Sequence, residues 1–128
     1  RSVAMNMYVG DGSPRLNNRD AYQFMTWSSF LRPAHTLVLV DEHEDSIFSG
    51  WFPVTTPANS GNAFWGLPGS RHLGAGTLSF ADGHVEVHKW LDSRTVKPVE
   101  RKTPFNGWQM PQNPDAIWIV EHAFIKAH

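Results

Sequence analysis

The chain has 128 residues, no cysteine and a formal net charge of −1 from 11 basic and 12 acidic side chains. That length fits one domain with a real core and is too short for two, and the balanced charge offers no basic face to a nucleic-acid backbone. Disulfides, thiolate metal sites and a cysteine nucleophile are excluded, and no apolar run approaches the roughly 20 residues that span a bilayer.

The opening RSVAMNMYVG alternates loosely and predicts a strand, followed by a loop over the turn-forming DGSPRLNNRD. The sequence begins with Arg1, so either a longer precursor or a deliberately trimmed form is expected. Residues 21–31, AYQFMTWSSFL, carry Tyr22, Phe24, Met25, Trp27 and Phe30 without a clean period; they predict a short helix or an irregular apolar segment, interrupted at Pro33. TLVLVDEH, residues 36–43, is β-branched and aliphatic and ends in acids, the composition of a buried strand that delivers Asp41 and Glu42 to one edge of a sheet. SIFSGWF is expected to be its partner strand. Residues 53–70 hold too much Pro, Gly, Ser and Asn for regular structure and predict a long loop pinned by Phe64 and Trp65.

GTLSFADGHVEVHKW has the pattern of a hairpin whose two-residue turn is Asp82-Gly83. Leu78 and Phe80 would share one face of its first strand, and Val85 and Val87 one face of its second. Residues 96–112 read as an extended tail anchored by Phe105 and Trp108. NPDAIWIVEHAF then predicts a helix capped by Asn113, with Pro114 in the first turn, Asp115 favourable to the dipole, and Ile117, Val120 and Phe124 along its buried stripe. The fold class expected is α+β, one domain in which residues 1–95 form a small antiparallel sheet with long loops and residues 96–128 a tail and short helix.

Chemistry concentrates in RHLGAGTLSFADGHVEVHKW, which holds His72, His84 and His88 around the Asp-Gly pair. On a strand, His84 and His88 would share a face about 13 Å apart, too far to chelate one ion together. Asp41, Glu42, His72, Asp82 and His84 could still converge from two strand ends, giving oxygen and imidazole ligands suited to zinc, manganese or calcium. The alternative is a hydrogen-bonded cluster in which imidazole and carboxylate hold the turn. DEHEDSIFSGWF fails as a helix-loop-helix calcium loop, with Ser46 at the sixth position and Phe52 at the twelfth. His43-Glu44 lacks the second histidine of a zinc protease, and no serine sits in a nucleophile elbow. The glycines of GLPGSRHLGAG lack the strand-then-helix context of a phosphate cradle and are expected to be loop hinges.

His72, nine residues, then Asp82-Gly83 resembles the prepilin-type processing-associated proteins with a His-x9-Asp-Gly C-terminal motif, which are similar to major pseudopilins of type II secretion in planctomycete and verrucomicrobial bacteria. The resemblance runs through RSVAMNMYVG, LVLVDEHEDSI, the glycines after Arg71-His72, FADGHVEVHKWLDSRT and NPDAIWIVEH. It implies a non-catalytic structural subunit of a cell-envelope filament, extracellular or periplasmic, whose partners are other pilin-like subunits. It also implies an N-terminal apolar helix, the expected route to a membrane, which has no counterpart in these 128 residues, and calcium in a C-terminal loop. On that basis Asp82, Gly83 and His84 are expected to hold the turn. His72 with Asp41 or Glu42 would tie the preceding loop to the sheet edge, and a metal would be held by Asp41, Glu42, His72 and Asp82. Trp65, Phe105 and Trp108 are the expected contact residues. Two rival readings are a secreted carbohydrate- or peptide-binding module using the tryptophan-bearing loops, and a metal-dependent hydrolase using His72, Asp82 and His84.

Overall fold

A computed structural model describes residues 3–10, 24–47, 50–54, 63–101 and 108–123. The expected positions Tyr22, Phe105 and Phe124, the loop of residues 11–20 and most of the long loop before Ala63 lie outside them. The fold is α+β. Its strands are β1 (Val3–Asn6), β2 (Leu37–Asp41), β3 (Trp51–Phe52), β4 (Ala63–Phe64), β5 (Ala75–Phe80), β6 (Val85–Lys89) and β7 (Trp108–Gln109), and its helix is α1 (Pro114–Ala123). Five strands form one sheet in the order β3-β1-β2-β5-β6, and β4 pairs with β7 in a separate ladder. Among the described residues no helix is long and apolar enough to cross a membrane.

β2 forms where the sequence is aliphatic and β-branched, and it takes the centre of the sheet, antiparallel to both β1 and β5. The expected partner of β2 in SIFSGWF is instead two residues, Trp51 and Phe52, that pair in parallel with β1 and make the sheet mixed. Leu78 and Phe80 of β5 are buried beside Val40 and Leu37, with which they are in register. Ala4, Asn6 and Phe52 continue that face across β1 and β3.

The helix closes this face. Asn113 caps it as expected: its Oδ1 accepts from the N–H of Asp115 at 2.8 Å and of Ala116 at 3.3 Å. Its buried stripe is Ala116, Ile119, Val120 and Ala123; of the expected stripe's described positions Val120 is buried and Ile117 is exposed. Two alanines on the buried side let the helix axis approach the sheet, a face that counting only large apolar residues misses. Asn6, itself buried, donates from Nδ2 to the carbonyls of Leu37 at 2.8 Å and Ala123 at 3.1 Å, tying β1, β2 and the helix end together.

Gly76 is not a loop hinge but lies inside β5, where its missing Cβ makes room for Trp90. The indole Nε1 of Trp90 donates to the Gly69 carbonyl at 2.9 Å across this gap. Gly74 does act as a hinge, at φ +82°, following Leu73 at φ +54°.

Candidate functional site

The residues singled out in the sequence are divided between the two ends of β5. Antiparallel pairing sends the C-terminal end of β2, with Asp41 and Glu42, toward the start of β5, where His72 precedes the strand. Asp82, Gly83 and His84 follow β5 at its other end. The six residues between the two groups span roughly 17 Å at the usual rise of a strand. The four expected metal ligands Asp41, Glu42, His72 and Asp82 are therefore not brought together, and neither are His72, Asp82 and His84 as a hydrolytic set. Among the described residues no three His, Cys, Asp or Glu side chains are placed to hold one ion.

At the Asp41 end the tie between loop and sheet exists, but Arg71 makes it in place of His72. The guanidinium of Arg71 pairs with Asp41, reaches Glu44 Oε1 at 3.4 Å and donates to the Glu42 carbonyl at 3.4 Å. His72 is exposed and contributes its backbone, exchanging hydrogen bonds with Ala75 at 3.3 and 3.1 Å to close the turn into β5. Glu42 is almost fully buried, with the Ser46 hydroxyl 3.3 Å from its Oε1. His43 is also buried; its Nδ1 accepts from the Asp45 N–H at 3.1 Å, which leaves Nε2 as the donor to the Lys97 carbonyl at 2.9 Å. A shallow cleft of about 410 Å³ opens here between Arg71 and Lys97, but Arg71 and His43 on its wall are already engaged within the protein.

At the other end the turn has three residues, not the expected two. The N–H of Gly83 donates to the Phe80 carbonyl and the N–H of Phe80 to the His84 carbonyl, both at 3.0 Å, so Ala81, Asp82 and Gly83 form the loop. Only Gly83 takes positive φ, +92°, the left-handed position of a three-residue hairpin loop. Asp82 Oδ1 accepts from the His84 N–H at 3.1 Å and also contacts the His84 imidazole, whose Nε2 lies 3.1 Å from Glu86 Oε1. The His84 ring stacks on Phe80 with centroids 4.4 Å apart. The bond from the His84 N–H, helped by the imidazole, holds the Asp82 carboxyl below its ordinary range. Asp82 first and Glu86 second hold the His84 imidazole above its own.

Two groupings are not among the expectations from sequence. The first is a ladder of rings along the core side of β6: His35 faces His122 at 4.0 Å, His122 faces Trp118 at 3.9 Å, and Trp118 faces His88 at 3.8 Å. Burial lowers the pKa of His88, and burial with the neighbouring His35 lowers that of His122. The i, i+4 spacing of Trp118 and His122 and the alternation of His84, Glu86 and His88 are the signals that point to it. The second is Asp115, nearly inaccessible, whose carboxylate accepts from the N–H groups of Leu91 and Asp92 at 2.9 Å and from the Thr95 hydroxyl at 2.6 Å. Of the expected contact residues, Trp65 is half exposed, whereas the side chain of Trp108 and all of Phe105 lie outside the described residues. Compared with models of protein families, with curated proteins and with solved structures, the chain matches none.

Proposed function

We propose that this chain is the globular part of a pilin-like filament subunit, a structural protein of the cell envelope whose work is packing against other subunits. The observation that carries the reading is the outer face of the five-stranded sheet. The register sets Met5, Leu39, Ser79 and Val85 in one row across four strands, flanked by Val3 on β1 and Val87 on β6. The five apolar side chains in this set are 36–66% exposed. An antiparallel sheet with one covered face ordinarily presents polar residues on the other. Here the open face carries exposed apolar side chains on three strands, β1, β2 and β6, beside the polar Asp41, Thr77 and Ser79, and each half-exposed valine or leucine has about 1 kcal/mol of burial still to gain.

An amphipathic or apolar helix laid across the strands would cover this face, and the resemblance to pilin-like subunits supplies such a helix. Calcium does not enter the reading, because the acids expected to bind it are separated along β5. The polar residues of the His-x9-Asp-Gly segment act on this reading as braces of the hairpin, at one end through Arg71 and at the other through Asp82.

The test is immunogold electron microscopy of the native source with antibodies against this domain, alongside a strain carrying Leu39→Glu. Labelled thin filaments in the parent and their loss in the variant are expected. Label confined to dispersed protein in the parent, or filaments indifferent to a charge at position 39, would reject the reading.

A further inference from the structure

β6 is an edge strand, and its outward side is a row of open backbone groups. Because Phe80 and His84 bond to each other, Leu78 with Glu86 and Gly76 with His88 are the hydrogen-bonded pairs of the hairpin. The N–H and C=O groups of Val85, Val87 and Lys89 therefore point away from β5, and no described residue pairs with them. Proteins ordinarily protect such an edge with a bulge, a proline or a covering element. Here Val85 and Val87 are 62% and 66% exposed, and α1 meets the sheet on its core face, over β2 and through Trp118 against His88.

We infer that β6 is a self-pairing edge, which joins β6 of a second copy of this chain antiparallel about a two-fold axis through Val87 to give a continuous ten-stranded sheet. Three features select this partner and this register. The two-fold must pass through or between residues whose outward groups can meet, which allows Val85, Glu86, Val87, His88 or Lys89 as the centre. Centring on Glu86, His88 or Lys89 sets each against its own copy, carboxylate on carboxylate or base on base. Centring on Val85 carries the pairing into the Asp82-Gly83 turn. Val87 alone pairs all five residues of the strand: Val87 meets Val87 of the other copy on the outer face, and Glu86 meets His88 of the other copy on the core face. Glu86, half exposed, lies against His84 of its own strand at 3.1 Å.

The pairing keeps both apolar outer faces on one side of the joined sheet, so it is compatible with a helix covering them and does not depend on one. Five paired residues bury well under the ~1,200 Å² of a stable interface. The association of the isolated domain is accordingly weak and reversible, and it gains strength where subunits are already held in an array.

The chain has no cysteine, so single cysteines report the register directly. In Val87→Cys the two Cα atoms would lie about 5.5 Å apart, within disulfide reach. In Val85→Cys, equally exposed, the two would be offset by four residues, about 14 Å along the strand and out of reach. Under mild oxidation of concentrated protein, Val87→Cys is expected to form covalent dimer at least roughly ten-fold faster than Val85→Cys. Sedimentation velocity of the unaltered chain is expected to show a reversible monomer–dimer equilibrium, and Val87→Lys to weaken it by roughly ten-fold or more by setting two ammonium groups across the axis. Equal cross-linking at the two positions, no cross-linking at either, or a monomer at every concentration would each overturn the inference. None of these outcomes bears on whether filaments contain the chain, which is read by microscopy.

Discussion

Asp82 and Asp115 perform the same local task under opposite solvation. Each carboxylate gathers backbone N–H groups where the chain leaves β5 or β6: Asp82 takes the N–H of His84 in the hairpin loop, and Asp115 takes those of Leu91 and Asp92 just beyond Trp90. The Asp82 side chain is about one-third exposed, while Asp115 is 1% exposed. Water can replace the partners of the first, whereas the Asp115 carboxylate and the Thr95 hydroxyl it accepts from are both closed to water. A buried acceptor with charged hydrogen bonds is expensive to remove because its donors are stranded, whereas an exposed one sets geometry at little cost. The residue that the eye finds in the Asp-Gly motif is thus the cheaper of the two.

The largest expected effect follows from this difference. Asp115→Ala removes the shared acceptor of the Leu91 and Asp92 N–H groups and leaves the Thr95 hydroxyl in the interior with one partner fewer. It should cost about 3–5 kcal/mol, read as a lowered urea midpoint with an unchanged slope. A loss under about 1 kcal/mol would mean that segment 91–95 reaches water and that the two carboxylates do not differ in solvation as drawn. Next in size is Gly76→Ala. The new Cβ would stand 2.6 Å from the Gly69 carbonyl oxygen and 2.9 Å from Cζ2 of Trp90. Because one obstacle is backbone, relief requires the loop to move and strains the indole bond to Gly69. A cost of about 2–3 kcal/mol and a shifted tryptophan emission are expected from overpacking of this kind.

Much of the fold is legible in the sequence wherever a signal is local. The aliphatic run makes β2, alternation makes the β5–β6 hairpin, and the Asn113-Pro114 pair begins the helix where expected. What is not legible depends on register across strands. Asp41, Glu42, His72 and Asp82 look like neighbours because sequence reading places strand ends without saying which end meets which; antiparallel pairing of β2 with β5 settles that and separates them. Arg71 is easily passed over beside the more chemically suggestive His72, although an arginine in a glycine-rich loop has the reach for two carboxylates and a carbonyl. Asp115 reads in sequence as a favourable charge for the helix dipole, since its partners 20 to 24 residues away leave no mark on the local pattern.

At the exposed turn the effects become smaller and more specific. Gly83 has φ +92°, and nothing lies within 4 Å of the point where a Cβ would stand, so its replacement meets conformational strain and no clash. Gly83→Ala should cost about 1–2 kcal/mol and Gly83→Asn less, because a short polar side chain tolerates the left-handed region. Equal costs for the two, in matched denaturation curves, would place the penalty elsewhere than in φ.

The finest contrast is between histidines on the core side of the same hairpin whose pKa values are shifted in opposite directions. His84, raised by Asp82 and Glu86, contributes stability that is fully present below the ordinary histidine pKa of about 6.5 and is lost as pH rises through its higher folded value. His88 and His122, lowered by burial, behave in reverse: their contribution is complete above about pH 6.5 and falls as the unfolded chain takes up protons below it. An NMR titration of the imidazole protons should therefore place the midpoint of His84 above those of His88 and His122. Asp82→Asn removes the carboxylate that does most to raise His84, so its midpoint should fall toward the ordinary value while that of His122, held in the ring ladder beneath the helix, stays where it is. If both midpoints moved together, the turn and the ladder would be one coupled network, and the separation between exposed brace and buried stack would have to be redrawn.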